Sequence, residues 1–386
     1  MDAFSFMPFA EDAEAIMLKN EILKAKEDAI KAADHQDKHY IQSWHVSARD
    51  LNEKRLKEIH QLYAKYHRYL INGRDLNPEK IDPVLLPIAS CKDDPFLSDI
   101  FRLCRHTWSM PFSGGYGRRL KFVVMDQHHQ AVIGILGMQS PPIDLACRDL
   151  LFGYTKEDKI NRVNATMDIY TAGSLPPYSD LLGGKLVAGL AACNEVRQVY
   201  QDRYVGRETV MRKTIVNYPL VAMTTTSAFG RSSMYNRLKY HDRLLAKSIG
   251  YTRGFGTFHL DHLYPKIMAY LRRMEIGKTT SGYGTGPKVK WQNMAAVINH
   301  LGLPIECMWH GVRREVYLYA LIQNIEGFMR HGEEPVFYDM SAKQYIAFWK
   351  TRWLEKRLVW MDQKGHPWKH FNAEDYFLNG KRNDHD

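Results

Sequence analysis

The chain has 386 residues and is 45% hydrophobic, so it is long enough to bury a substantial core and is not a disordered chain. Its net charge of +10, with 22 tyrosines and 8 tryptophans to stack on bases, favours a polyanionic partner such as nucleic acid. Five scattered cysteines without a C-x-x-C pair predict a reduced, cytoplasmic protein. The acidic amino terminus and short apolar runs predict neither export nor a membrane span.

The first elements in chain order are two amphipathic helices. The first carries Ile16, Leu23 and Ile30 at intervals of seven, and the second begins near Asp50. Heptad spacing allows self-association, although such a helix more often packs on its own domain. A segment with three prolines follows, and we expect it to end an N-terminal helical arm, residues 1–80.

The next region, 81–275, mixes strands and helices. A helix from Phe96 precedes two β-rich runs, which a polar turn at residues 127–130 joins into a hairpin. A helical insertion over 142–160 and a strand over 164–173 come next. The pattern then predicts, in order, a helix over 180–203, a strand over 218–228, a short helix over 231–240 and small β pieces over 248–260.

The last region, 276–386, is predicted to be helical, including the segment 314–329. The order of these elements indicates an α/β (α+β) fold. Its core is a mixed central sheet, flanked by N- and C-terminal helical regions.

Two adjacent glycines at the N-terminus of a predicted helix suggest an anion-binding site. The first N–H groups of a helix lack intrahelical partners, so Gly183 and Gly184, with the ammonium of Lys185, are predicted to hold a phosphate or pyrophosphate. No Walker A or G-x-G-x-x-G spacing is present here. Asp180 is able to cap the same amides, and close packing of the helix is the alternative role for the glycines.

Several basic segments are candidates for phosphate contacts. Arg231 and Arg237 flank Tyr235, a candidate general acid whose alternative role is packing. Arginines in such segments more often form solvent-exposed ion pairs. His259, the lone histidine of the glycine-rich segment, is more often a structural residue than a catalytic one. The five arginines predicted to contact phosphates are Arg118, Arg119, Arg231, Arg237 and Arg253.

Four acids offer a further alternative, a metal-dependent nuclease. Asp168 would be its catalytic residue, joined by Asp144, Asp149 and Glu195. Nothing in their spacing demands a shared site, and no metal-ligating set is predicted.

Three segments together resemble a known bacterial family. DLLGGKLVAGLAACNEV, GRSSMYNRL and GYTRGFGTFHL, within a stretch from about Ile81 to His331, look like the family whose best-known member is component A of the Druantia anti-phage defence system. The resemblance implies defence against bacteriophage beside other Druantia components, which include a large helicase-like protein. It implies no biochemical activity.

The order of elements is also similar to that of GNAT-type acetyltransferases. That likeness implies that the Gly183 turn binds the pyrophosphate of an acyl-coenzyme A and that Tyr235 protonates the leaving thiolate. Two positions depart from the family's Q/R-x-x-G-x-G/A pattern, because Asp180 and Lys185 stand where Gln/Arg and a small residue are expected.

The leading hypothesis is a Druantia-type defence protein that acts as a nucleic-acid-engaging or adaptor module, with the five arginines arranged around the Gly183 turn. The alternatives are an acyl-coenzyme A group transferase and a metal-dependent nuclease. The cofactor and the oligomeric state are left open by the sequence.

Overall fold

The structure, a computed structural model, divides into two compact units. One contains residues 1–51 and 252–314, and the larger one contains 52–251 and 315–386. These boundaries differ from those expected near residues 80 and 275, and the three-region division stays a prediction. The residues that the structure describes are 12–35, 41, 43, 53–90, 92–108, 116–154, 156–208, 213, 215–228, 230–277 and 289–379.

The larger unit is built on a seven-stranded sheet in the order β1-β2-β3-β4-β5-β9-β8, and β6 and β7 form a separate hairpin. Neighbouring strands in the sheet are antiparallel except β4 and β5, which are parallel. The strands are β1 Pro83–Pro87, β2 Arg119–Asp126, β3 Ala131–Gln139, β4 Thr166–Ser174, β5 Ala222–Thr226, β6 Lys239–Tyr240, β7 Arg243–Leu244, β8 Lys247–Tyr251 and β9 Glu315–Ala320.

Helices cover the sheet and form most of the smaller unit. In chain order they are α1 Ala13–His35, α2 Glu53–Tyr66, α3 Pro95–His106, α4 Ala146–Phe152, α5 Lys156–Val163, α6 Gly183–Leu190, α7 Asn194–Tyr204, α8 Tyr264–Arg273, α9 Val289–His300, α10 Ile325–His331, α11 Ala342–Trp349, α12 Glu355–Lys364 and α13 Ala373–Leu378. A π-helical turn, Lys350–Leu354, joins α11 to α12. Within the described ranges, no helix is both long enough and apolar enough to cross a bilayer.

Both faces of the sheet are covered, because successive residues of a strand point to opposite sides. On β2, Phe122 and Val124 share a core with Leu186 of α6. Val123, between them, packs in a second core with Ile59 of α2 and Ile100 of α3. Helices α6 and α2 therefore lie on opposite faces of the sheet.

The edge strand β1 is bounded by two prolines. Pro83 pairs with Asp126 of β2, and Pro87 pairs with Phe122. Proline has no N–H, so it is tolerated at an edge strand but not inside a sheet. The prolines of this segment were expected to mark a boundary, whereas they bound a strand.

In the smaller unit, α1 buries a different face from the one expected. Its inner residues are Leu18, Ile22, Ala25, Ala29 and Ala32. The three residues at heptad spacing, Ile16, Leu23 and Ile30, are 40%, 41% and 45% exposed. Small alanines on the inner face allow the helix to pack closely, and the three heptad residues lie outside that face.

Several predicted elements are confirmed and others are corrected. The hairpin of β2 and β3 has its turn at residues 127–130, as expected. The helix expected over 180–203 is broken between α6 and α7. The short helix expected over 231–240 is absent, because Arg237 has a φ of +56°, which interrupts a right-handed helix. The first part of 314–329 is strand β9 rather than helix.

Candidate functional site

The candidate site lies where the loops after the two parallel strands meet. Parallel strands bring their carboxyl ends to the same edge of a sheet, where ligands of open α/β sheets commonly bind. The loop after β4 leads to α6, and the loop after β5 carries residues 230–237. The start of α6 lies close to the second loop. A Cβ atom placed on Gly184 would lie 3.4 Å from the sulfur of Met234. The structure therefore brings two of the predicted segments together.

The turn before α6 uses part of its own hydrogen-bonding capacity. The residue before the helix is Leu182, with a φ of +60°. The Gly183 N–H donates to the Tyr178 carbonyl at 2.8 Å, and the Lys185 N–H donates to the Leu182 carbonyl at 3.0 Å. Asp180 accepts from Arg357 Nε through its backbone carbonyl at 2.8 Å. Anion binding by these amides stays a prediction, and an anion would have to replace the Tyr178 and Leu182 carbonyls as the acceptors of these two N–H groups.

Lys185 points into the protein. Its side chain is only 7% exposed, and its Nζ donates to the backbone carbonyl of Asn236. The Nζ also lies 5.1 Å from the centre of the Trp353 ring. Burial, together with the nearby charge of Arg237, lowers the pKa of Lys185 to about 8. The lysine therefore ties α6 to the loop that carries Arg237.

The loop over residues 230–237 presents its two arginines to solvent. Arg231 and Arg237 are both exposed. A hydrogen bond with Tyr251 raises the pKa of Arg231. Behind the loop, the Tyr317 hydroxyl hydrogen-bonds with Glu315 and with Asn236, the latter at 3.3 Å. The Ser232 N–H of the loop also donates to the Tyr317 hydroxyl at 3.4 Å, so the loop is anchored from behind while its cations face outward.

The two predicted catalytic residues do not meet. Asp168 accepts from Thr224 Oγ1 at 2.9 Å and from Gln139 Nε2 at 3.2 Å. Tyr235 is only 5% exposed, and its hydroxyl accepts from Thr225 Oγ1 at 3.3 Å. Adjacent residues of β5 point to opposite faces of the sheet, so Asp168 and Tyr235 lie on different sides. Burial raises the pKa of Tyr235 to about 12, which keeps the hydroxyl protonated at neutral pH.

The remaining arginines have three different environments. Arg118 turns inward, where it donates to the carbonyls of Asn164 and Thr166 and contacts the Tyr200 hydroxyl. Arg119 is exposed near the start of β2. Arg253 is exposed in the smaller unit. Of the five predicted phosphate contacts, Arg231 and Arg237 share a loop.

The four candidate nuclease acids do not form one group. Asp144 and Asp149 bind the same ammonium, Lys159, at 2.5 and 2.8 Å. Glu195 accepts from the Ala342 N–H at 2.9 Å through both oxygens, whereas Asp168 is held by β3 and β5 as described above. Across the described part of the chain, no three His, Cys, Asp or Glu side chains are placed to hold a metal ion.

A set of aromatic residues at the site was missed from the sequence. Trp349 Nε1 donates to the Leu182 carbonyl at 3.0 Å, and the Tyr345 hydroxyl donates to the Lys185 carbonyl at 2.9 Å. Trp353 lies against the Lys185 ammonium. The sequence does contain a signal for them, because Tyr345, Trp349 and Trp353 recur every four residues. Nothing in the neighbouring sequence, however, shows that this helix face packs on α6.

Comparison with known proteins identifies the family. The profile of the family described as Druantia protein DruA matches residues 34–331. The chain belongs to the DruA family. A curated relative, Druantia protein DruA of Escherichia coli (strain UMEA 4076-1), is 36% identical over 300 residues, which cover 77% of this chain and 74% of the relative. No solved structure matches.

This membership confirms the resemblance found in the sequence, and the protein is a component of Druantia anti-phage defence. The matched DruA region contains the Gly183 turn and the 230–237 loop. Helices α11 to α13 lie after it.

Proposed function

We propose that this DruA protein engages nucleic acid through the loop that carries Arg231 and Arg237. The observation that carries the proposal is that both arginines are exposed on one loop, whose Ser232 N–H donates to the buried Tyr317 hydroxyl. Arginine offers a planar fork of donors that suits phosphate. The net charge of +10 adds a long-range attraction for a polyanion.

Salt-dependent binding tests the proposal. Affinity for duplex and single-stranded DNA, measured by fluorescence anisotropy, should fall steeply between about 50 and about 200 mM salt. Arg231→Ala and Arg237→Ala should each reduce the slope of log affinity against log salt by about one. Lys57→Ala is the matched control, because Lys57 is exposed on α2, on the other face of the sheet. Absence of binding at low salt contradicts the proposal.

The cellular setting is part of the same proposal. The protein would work beside other Druantia components, including a helicase-like protein, as an adaptor that engages their nucleic acid. Family membership supports this setting. Co-purification of the components from cells, with and without nuclease treatment, would distinguish a direct protein contact from a shared nucleic acid.

An acyl-coenzyme A group transferase is the second candidate, favoured by the order of elements. The hairpin of β2 and β3, the strand β4, the glycine turn with α6 and the parallel strand β5 follow one another along the chain, and this order supports an acetyltransferase-like arrangement. Tyr235 would serve as the acid, since its hydroxyl stays protonated at neutral pH. The short helix expected around Tyr235 is missing from that order.

A thermal-shift titration with acetyl-coenzyme A separates the two candidates. A ligand at about 100 times its Kd adds about 2.7 kcal/mol to the free energy of unfolding. The transferase candidate predicts this stabilisation and its retention in Tyr235→Phe, which would lose turnover but not binding. An unchanged melting temperature at millimolar ligand removes this candidate.

A further inference from the structure

A stripe of alternating indole rings and cations runs along the last long helix of the larger unit. Trp353 lies in the π-helical turn, and Arg357, Trp360 and Lys364 follow on α12. Their intervals of four, three and four residues place them on one side of the helix. At about 1.5 Å per residue, the stripe is about 16 Å long.

Cations hold both rings of the stripe in place. The guanidinium carbon of Arg352 lies 5.2 Å from the centre of the Trp353 ring, and the Lys185 Nζ lies 5.1 Å from the same centre. The guanidinium carbon of Arg357 lies 4.3 Å from the centre of the Trp360 ring. A cation at this distance is attracted to the face of an aromatic ring. These contacts restrict the motion of the rings, which lowers the entropy lost when a ligand stacks on them.

The stripe continues the site described above. Its first ring contacts Lys185, which is bonded to the loop that carries Arg237. Its middle cation, Arg357, donates to the Asp180 carbonyl in the turn before α6. Trp360 is 43% exposed, a large apolar surface beside positive charge, and Lys364 is exposed at the far end.

We propose that this stripe binds single-stranded nucleic acid. Trp360 stacks on a base, and Arg237, Arg352 and Lys364 contact the phosphates. Single strands expose the faces of their bases, whereas a duplex hides them, so a ring beside cations discriminates between the two. The inference rests on the proposed nucleic-acid binding and adds the strand state that is bound.

A matched pair of tryptophan substitutions tests the stripe in the full-length protein. Trp291 is also 43% exposed, but it lies in the smaller unit. Trp360→Ala should weaken binding of labelled oligo-dT by about fivefold to a hundredfold, and Trp360→Phe should restore most of the affinity. Trp291→Ala should match the wild type. Oligo-U in parallel shows whether the preferred strand is DNA or RNA.

The outcomes separate the stripe from the underlying proposal. Selective loss of single-strand affinity in Trp360→Ala, with duplex affinity unchanged, supports the stripe. Equal affinities of Trp360→Ala and Trp291→Ala overturn it, yet leave the proposed function standing if binding still depends on Arg231 and Arg237. A wild-type protein that binds neither strand state at low salt overturns both. Circular dichroism of each variant confirms that the fold is intact.

Discussion

The amino group of Lys185 lies in the interior of the larger unit, and the free energy required to bury it depends on pH. Its pKa is 10.5 in an unfolded chain and about 8 in the folded protein, with burial as the main cause. Between these values the unfolded chain holds a proton that the folded protein has released. The free energy of unfolding therefore rises with pH across this window, by about 3 kcal/mol in total.

Lys185→Met removes this titration while keeping a side chain of similar length. In urea unfolding at about pH 7 and about pH 10, the wild type should gain stability relative to Lys185→Met as the pH rises. Other lysines and tyrosines titrate in both proteins and cancel in the difference. A difference that stays constant over this range contradicts a buried, desolvated ammonium.

The sequence shows which residues are charged, but it does not show which way their side chains point. Arg118 and Arg231 look alike in the sequence, yet the first binds backbone carbonyls and the second faces solvent. Lysine is almost never fully buried without a partner, so Lys185 was expected to face a ligand. Its partner, the Asn236 carbonyl, lies on a loop after another strand. Such pairings depend on the tertiary fold.

At the scale of elements, the glycines of α6 differ in what surrounds them. A Cβ at Gly189 would overlap the ring of Tyr345 from α11. A Cβ at Gly184 would meet the Met234 sulfur at 3.4 Å, an ordinary contact. Close packing therefore requires a glycine at position 189, whereas position 184 tolerates a methyl group.

The paired substitutions Gly189→Ala and Gly184→Ala test this difference. Gly189→Ala should lower the free energy of unfolding by about 1–3 kcal/mol, because it overpacks the core between α6 and α11. Gly184→Ala should be neutral or stabilising by up to about 1 kcal/mol, since alanine favours helix. Urea denaturation measures both. Equal changes in the free energy of unfolding of the two variants would contradict this difference and would mean that the Tyr345 ring moves aside.

Elements with local signals were predicted, and those defined by distant pairing were missed. The β2 and β3 hairpin has a polar turn between two apolar runs, so its pairing is visible within twenty or so residues. Strand β9 pairs with β5 and β8, both far upstream, and its leucine and alanine also suit a helix. Its pairing on both sides, with β5 and with β8, is what selects the extended conformation.

On the scale of the whole molecule, residues 252–314 form an insertion between two paired strands. Tyr251, at the end of β8, pairs with Glu315, at the start of β9. The next residues also meet, because the Thr252 N–H donates to the Arg314 carbonyl at 2.9 Å. The chain therefore leaves and re-enters the sheet at adjacent points, which a tight hairpin turn is able to bridge.

Removing the insertion should leave the larger unit folded. In a variant of residues 52–386, Thr252 is joined to Arg314 through Asn-Gly, which favours a two-residue hairpin turn. We expect one cooperative thermal transition and a circular dichroism spectrum with strand and helix. Removing 1–51 alone is the contrasting variant, since it uncovers Ile267 and Leu263 of the smaller unit, which pack against Leu18 and Ile22. Aggregation of the first variant would contradict the division into two units.

The prolines that bound β1 have a consequence for polymerisation. An open strand edge is a template on which another chain adds, and aggregates grow by repeating that step. With Pro83 and Pro87 at its two ends, β1 lacks a donor at two of its five positions, so an added strand would find a broken ladder. Growth from this edge is therefore blocked by the backbone itself, and any self-assembly has to proceed through other surfaces.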